Sequence, residues 1–326
     1  MGYQIQFPDE PQITGSYKRK PNYFTTPFGF GPGDLPVEKG RYRIIWSKAC
    51  PWATRQLIVR SLLGLEDAIS VGTVDPVRPP PYVDSRGERT NWAFTLDEGG
   101  VDPVLKIKYL SDIYLAADPE YEGRFTVPAV IDVTQRKVVN TDYFNMSYYW
   151  ETVWKGFHKK GAPDLFPEHL REDILALNET IYYEVNNGVY KAGFAETQEA
   201  YGDACEKVFN RLDILEERLG KSRYLFGDSI TDSDIRLYVT LARFDAAYYN
   251  CFRVNRRRLR DYPHLWAYAR DLYSIPAFSE NTDFDHIKIH YHLCCDKGNV
   301  YHLIPKGPDN SDWNTEGIYA AARRGA

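Results

Sequence analysis

No stretch of this 326-residue chain approaches the roughly twenty consecutive apolar residues that a helix needs to cross a bilayer. The opening MGYQIQFPDEPQ lacks the apolar core of a secretory leader, and Gln6 stands where a myristoylation motif requires Ser or Thr. Charge of one sign is also missing. With 40 basic against 45 acidic residues the net charge is −5, and no segment gathers enough Lys or Arg to follow a phosphate backbone, so nucleic acid is excluded as an expected partner. Cysteine is scarce: five residues, an odd number, scattered as Cys50, Cys205, Cys251, Cys294 and Cys295, which is not the framework of a secreted disulfide domain. Reduced thiols and a soluble, cytoplasmic protein are expected. Internal repeats and long low-complexity tracts are absent too. What is abundant is apolar and aromatic: 43% hydrophobic residues, 15% aromatic, and 25 Tyr. Burial on that scale offsets chain entropy, and phenols are numerous enough to line a cavity suited to aromatic substrates. The length exceeds what one core organises and predicts two domains.

The most informative absence is a single residue. In SKACPWATRQ, Ala53 occupies the position where a dithiol oxidoreductase carries its second, resolving cysteine. RYRIIWS, ahead of it, reads as a short buried strand, and from Pro51 the pattern WATRQLIVRSLLGL takes helical spacing and closes at Gly64. Cys50 therefore sits at a strand-to-helix junction. There it meets unpaired backbone N–H groups and the positive end of the helix dipole, which favour thiolate, and Pro51 at the first helical position sacrifices no hydrogen bond. A small buried hydrophobe is the alternative role for such a cysteine. With no internal resolving thiol, an external one must attack any Cys50 mixed disulfide, and glutathione is the natural intracellular candidate.

The first 39 residues, rich in Pro, Gly and aromatics, read as an extended arm wrapped on the surface or across a partner. A second strand is expected in AISVGTV, then a long insertion, a helix in VLKIKYLSDIYLAAD, a hairpin in RFTVPAVIDVTQRKVVN, and a helix beginning near Asp142. Strand, helix, strand, helix, hairpin, helix is the order of a thioredoxin-like domain, assigned to residues 40–155. Val127-Pro128 falls where such folds hold a cis proline whose preceding backbone pairs with a thiol peptide. A linker at 156–167 leads to an all-helical domain, 168–293, and a tail, 294–326. In that domain Val208, Leu212, Leu215 and Leu219 share one face, Gly220 follows as a C-cap, and Thr231 with Asp234 forms a capping-box variant.

CPWA, NWAF (91–94), GRFTVPAV, VYKAGFAETQEAY, LEERLGKSRYLFGD, DIRLYVTLARFDAAYY and FDHIKIHY together resemble the glutathionyl-hydroquinone reductases, the xi class of glutathione transferases, from about Gly40 to Tyr291. The resemblance implies a thioredoxin-like domain followed by a helical domain, homodimers built on the latter, and reduction of glutathionyl-hydroquinones with glutathione as co-substrate and no metal or nucleotide. It implies Cys50 as nucleophile, and Tyr190 and Tyr291 as the phenols of the hydroquinone pocket. Trp52, Trp92, Arg124, Val127, Pro128, Asp142 and Tyr143 are implied to hold glutathione. One departure concerns the γ-glutamyl end: where the family has a Glu-Ser pair, this chain has Asp142 and Tyr143, an acid one methylene shorter and a hydroxyl displaced by a phenyl ring. The tail HLCCDKGNVYHLIPKGPDN also departs. The same thiolate would serve a thiol transferase or dehydroascorbate reductase acting on other substrates or with another thiol, and the altered pair would suit a non-catalytic binding or assembly module.

Three further groups read as structural. His286, His290 and His292 in HIKIHYH form no recognisable metal signature with a neighbouring Cys or carboxylate, vicinal Cys294-Cys295 is incidental, and RVNRRRLR (253–260) is a solvated helix face.

Overall fold

The structure is a computed structural model and describes residues 13–85 and 87–314. The described residues form two compact units: 21–162, and 163–314 together with 13–20. The first is α/β and the second is helical, the two-part organisation expected from the order of strands and helices in the sequence.

In the first unit a sheet of four strands runs in the order β2-β1-β5-β6: β1 Tyr42–Trp46, β2 Ile69–Thr73, β5 Ala129–Asp132 and β6 Lys137–Asn140. β1 pairs parallel with β2 and antiparallel with β5, which pairs antiparallel with β6. A central strand flanked on both edges explains why YRIIW is buried at every position rather than at alternate ones. That burial includes Arg43, whose guanidinium is paired with the buried Asp102 at 2.8 Å. Gly72 on β2 makes room for the pair, since a Cβ there would come within 2.5 Å of an Asp102 oxygen. Helix α1, Pro51–Leu63, covers the sheet and ends at Gly64, whose left-handed φ of 71° lets it cap.

Four local readings are corrected. The helix expected over 104–118 shrinks to α2, Ser111–Ala117, because the Asp102 carboxylate captures the N–H groups of Val104 and Leu105 and Lys106 turns left-handed (φ 54°). The insertion contains an unforeseen hairpin, β3 Tyr82–Asp84 with β4 Gly87–Arg89. The helix after β6, α3, starts at Met146, preceded by a turn in which Tyr143 N–H donates to Thr141. The arm is no mere surface wrap: Thr25 bridges Asn140 at the edge of β6, and Phe28 is fully buried among Tyr42, Trp150 and Trp154.

The helical unit is built on α4 Arg171–Ile181, α5 Gly188–Gly193, α6 Gln198–Leu219, α7 Asp232–Arg243, α8 Tyr249–Cys251, α9 Pro263–Tyr273, α10 Pro276–Ser279 and α11 Phe284–His290. The α6 face of Val208, Leu212, Leu215 and Leu219 is buried as its spacing requires. Gly220 takes the cap position but remains right-handed (φ −69°), and its smallness accommodates the His264 ring, 3.1 Å from where a Cβ would stand. Thr231 and Asp234 form the capping box of α7. RVNRRRLR is not a helix face: Arg253 is left-handed, and Arg256 and Arg257 reach Asp213 while Arg258 pairs with Asp261. Three π-helical turns interrupt this unit, Tyr182–Asn186, Phe244–Tyr248 and Tyr291–Cys295. Among the described residues no helix is long and apolar enough to cross a membrane.

Candidate active site

In the α/β unit, the site forms where β1 ends. Cys50 is the N-cap of α1 with extended backbone (φ −79°, ψ 118°), Pro51 occupies the first turn, and the half-buried thiol sits at the positive end of the helix dipole. Its Sγ donates to the carbonyl oxygen of Val127 at 3.3 Å, and the Val127-Pro128 peptide is cis. The strand β5 that follows Pro128 is hydrogen-bonded to β1, so two neighbouring strands deliver the thiol and the proline loop to one place. Trp92 is buried in an apolar cluster with Phe94, Phe125 and Val127, against which Cys50 packs, and Arg78 stacks over its ring at 4.5 Å. Arg124, in the loop leading to Val127, is exposed and accessible to an anion.

The Asp142–Tyr143 pair lies at the start of the turn into α3. Asp142 is buried, and its carboxylate accepts from the side chain of Asn22 (3.2 Å), from Asn145 N–H (3.3 Å) and from the Asn145 side chain (2.7 Å). The Tyr143 ring packs on Trp52 with centroids 4.8 Å apart, and its carbonyl accepts from Arg55 and Gln56 of α1. Cys50, Trp52, Val127, Pro128, Asp142 and Tyr143 are therefore carried by the sheet unit's helix α1 and its loops. Asn22 and Asn145 are partners of Asp142 that the sequence reading did not single out; an Asn three residues after the acid, in a turn, is the signal that was available.

In the helical unit, Tyr190 on α5 and Tyr291 after α11 meet hydroxyl to hydroxyl at 2.5 Å. A third phenol, Tyr248, closes the triangle at 3.1 Å from Tyr291 and 3.4 Å from Tyr190. Phe252 stacks on Tyr248 and the Arg19 guanidinium lies over the Tyr190 ring at 4.8 Å, with Arg19 Nε donating to Asn187 at 2.9 Å. Burial, with the two neighbouring phenols, pushes Tyr291 well above the usual phenol range. Tyr248 was missed because DAAYYN reads as one face of a long apolar helix; only the π turn ending at Tyr248 shows which tyrosine is turned inward. Near the triad, Cys251 is buried with Sγ 3.2 Å from His292 Nδ1, and burial together with Asp296 and Cys295 pushes its thiol up. His292, placed with His286 and His290 in the sequence reading, thus separates from them.

A cysteine capping the first helix beside a cis-proline loop, in an α/β unit followed by a helical unit, defines a thiol enzyme of the glutathione transferase class. Residues 198–271 match the profile of the glutathione S-transferase C-terminal domain. The chain is 40% identical to the Escherichia coli glutathionyl-hydroquinone reductase YqjG, covering 85% of this chain and 82% of that one. It is 38% identical to the Sphingobium chlorophenolicum glutathionyl-hydroquinone reductase PcpF over 83% and 84%. Among solved structures, the xi glutathione transferase of Phanerochaete chrysosporium aligns with a TM-score of 0.81 at 40% identity, covering 91% and 94%, and a glutathione-bound YqjG structure aligns at 0.80 and 38%, covering 94% and 97%. The chain belongs to the glutathionyl-hydroquinone reductases, the xi class of glutathione transferases.

Proposed function

We propose that this protein reduces glutathionyl-hydroquinones to hydroquinones with glutathione, through Cys50. The observation that carries the reading is the Cys50 thiol at the N-terminus of α1, 3.3 Å from the carbonyl of the residue before cis Pro128, with Ala53 in place of a resolving cysteine. The Cys50 thiolate attacks the sulfur of the substrate's aryl thioether. A Cys50–glutathione disulfide forms, the carbon–sulfur bond breaks with its electron pair left on the ring, and that carbon takes a proton. We assign proton delivery to Tyr190 and Tyr291: burial holds the Tyr291 phenol protonated at neutral pH, and the hydroxyl network lets one be reloaded by another. A second glutathione thiolate attacks the glutathionyl sulfur of the mixed disulfide, releasing oxidised glutathione and the Cys50 thiolate.

Arg124 suits a glutathione carboxylate, while Trp52, Trp92, the Val127 backbone, Pro128, Asp142 and Tyr143 form the rest of the glutathione site in this reading. The active species is a homodimer built on the helical unit, which light scattering would test.

Intact-mass spectrometry of protein mixed with a glutathionyl-hydroquinone should show one glutathione on Cys50 and one equivalent of hydroquinone released, with turnover only after glutathione is added. Cys50→Ala should show neither. Hydroquinone release by Cys50→Ala at the parent rate would overturn the mechanism.

A further inference from the structure

The thiol reaction leaves unused a second chemical cluster, buried in the helical unit. Cys251 ends α8, His292 and Asp296 lie at the π turn after α11, and the thiol, imidazole and carboxylate ligand atoms all fall within 4.8 Å of one another. Tetrahedral zinc with bonds of about 2.0–2.3 Å sets its ligand atoms roughly 3.3–3.8 Å apart. The Cys251–His292 separation of 3.2 Å is already at that edge, and the widest allowed separation exceeds it by about an ångström.

The surroundings orient these groups as outer partners do in metal sites. The His292 ring is hydrogen-bonded to the Ala246 backbone, and one Asp296 oxygen accepts from Gly298 N–H at 3.0 Å. Cys251 and His292 are both buried, whereas Asp296 is half-buried and leaves a route for an ion. A thiol–imidazole hydrogen bond accounts for two of these residues and the Gly298 contact for one oxygen of the third, but neither accounts for the convergence of all three ligand atoms.

We propose that Cys251, His292 and Asp296 form a zinc site in the helical unit, with a fourth position left to solvent. Sulfur, nitrogen and a single carboxylate suit a borderline-soft divalent ion and not magnesium or calcium. Binding replaces the Cys251 thiol proton, released to solvent, by a metal–sulfur bond. The ion would tie the helical turn following Tyr248 to the turn that begins at Tyr291. None of these ligands is a residue assigned to the Cys50 reaction, although His292 follows Tyr291 directly in the π turn.

The test uses the full chain carrying Cys50→Ala, so that the reactive thiol cannot contribute. Titration with Co2+ should reach one equivalent with a thiolate-to-cobalt charge-transfer band, native mass spectrometry should show one Zn2+, and the melting temperature should rise by a few degrees. Cys251→Ser should abolish the band. Asp296→Asn, at the half-buried corner and away from the core, should keep the helical circular dichroism and weaken Co2+ binding by roughly tenfold or more. Absence of a stoichiometric ion, a band that persists in Cys251→Ser, or unchanged affinity in Asp296→Asn would each overturn the site; the last decides the matter if Cys251→Ser does not fold.

Discussion

Tyr143 stands beside Asp142 at the two positions where the resemblance leads us to expect Glu-Ser. Its ring is held by Trp52 and its carbonyl by Arg55 and Gln56, so a change confined to the hydroxyl leaves both of these contacts in place. Tyr143→Phe keeps the ring contact and removes one hydrogen bond, worth about 1 kcal/mol, so the KM for glutathione should rise roughly fivefold with little change in kcat. Steady-state kinetics at saturating hydroquinone conjugate measures it, and an unchanged KM would place the hydroxyl outside the glutathione site. At this scale the sequence was most legible for Cys50, because a strand ending in a polar turn, then Pro at the first helical position, locates a thiol without further information. Tyr248 and Cys251 were illegible for the opposite reason: their partners lie 43 and 41 residues away, and no local period joins them.

Helices and turns carry the next set of consequences. Asp234 serves as both capping residue and buried hub, accepting from Leu225 N–H, from Thr231 N–H and hydroxyl, and from the Tyr268 hydroxyl, all between 2.8 and 2.9 Å. Asp234→Ala removes a cap and strands several buried donors, so it should lower unfolding free energy by about 2–4 kcal/mol, measurable by urea titration. Asp234→Asn, retaining an acceptor, should cost less. Thr231–Asp234 was readable from its spacing because both partners are local. The helix expected over 104–110 was over-read because its hydrophobic spacing is helical, while Asp102 commits its carboxylate to the backbone that such a helix would need and is itself held by Arg43 of β1. Arg43→Met would leave that carboxylate buried and unpaired, and should destabilise the protein by about 3–5 kcal/mol in the same titration. The π turns were also hidden: one additional residue per turn rotates the following face, and two of these turns carry Tyr248 and Tyr291 while the third precedes α5, which carries Tyr190.

For the molecule as a whole, glutathione binding and stability are linked. At a glutathione concentration a hundred times Kd, Cys50→Ala protein should gain about 2.7 kcal/mol, read as a rise in melting temperature. Loss of a charge-assisted hydrogen bond in Arg124→Ala should demand at least roughly tenfold more glutathione for the same rise. An equal response in both proteins would remove Arg124 from the glutathione site. The two-part architecture was legible because hydrophobic period changes along the chain, from short buried strands to the long α6 stripe.

The division of the arm was not legible, since its residues show no period at all, and yet it separates residues 13–20 from 21–39. Gly15 receives Glu196 N–H at 2.9 Å, Thr14 receives the Thr197 hydroxyl at 3.0 Å, and Arg19 covers Tyr190. A chimera that joins the front half of one family member to the back half of another, cut only at residue 162, would therefore inherit mismatched parts. The helical half recombines as a functional cassette only when residues 13–20 travel with it.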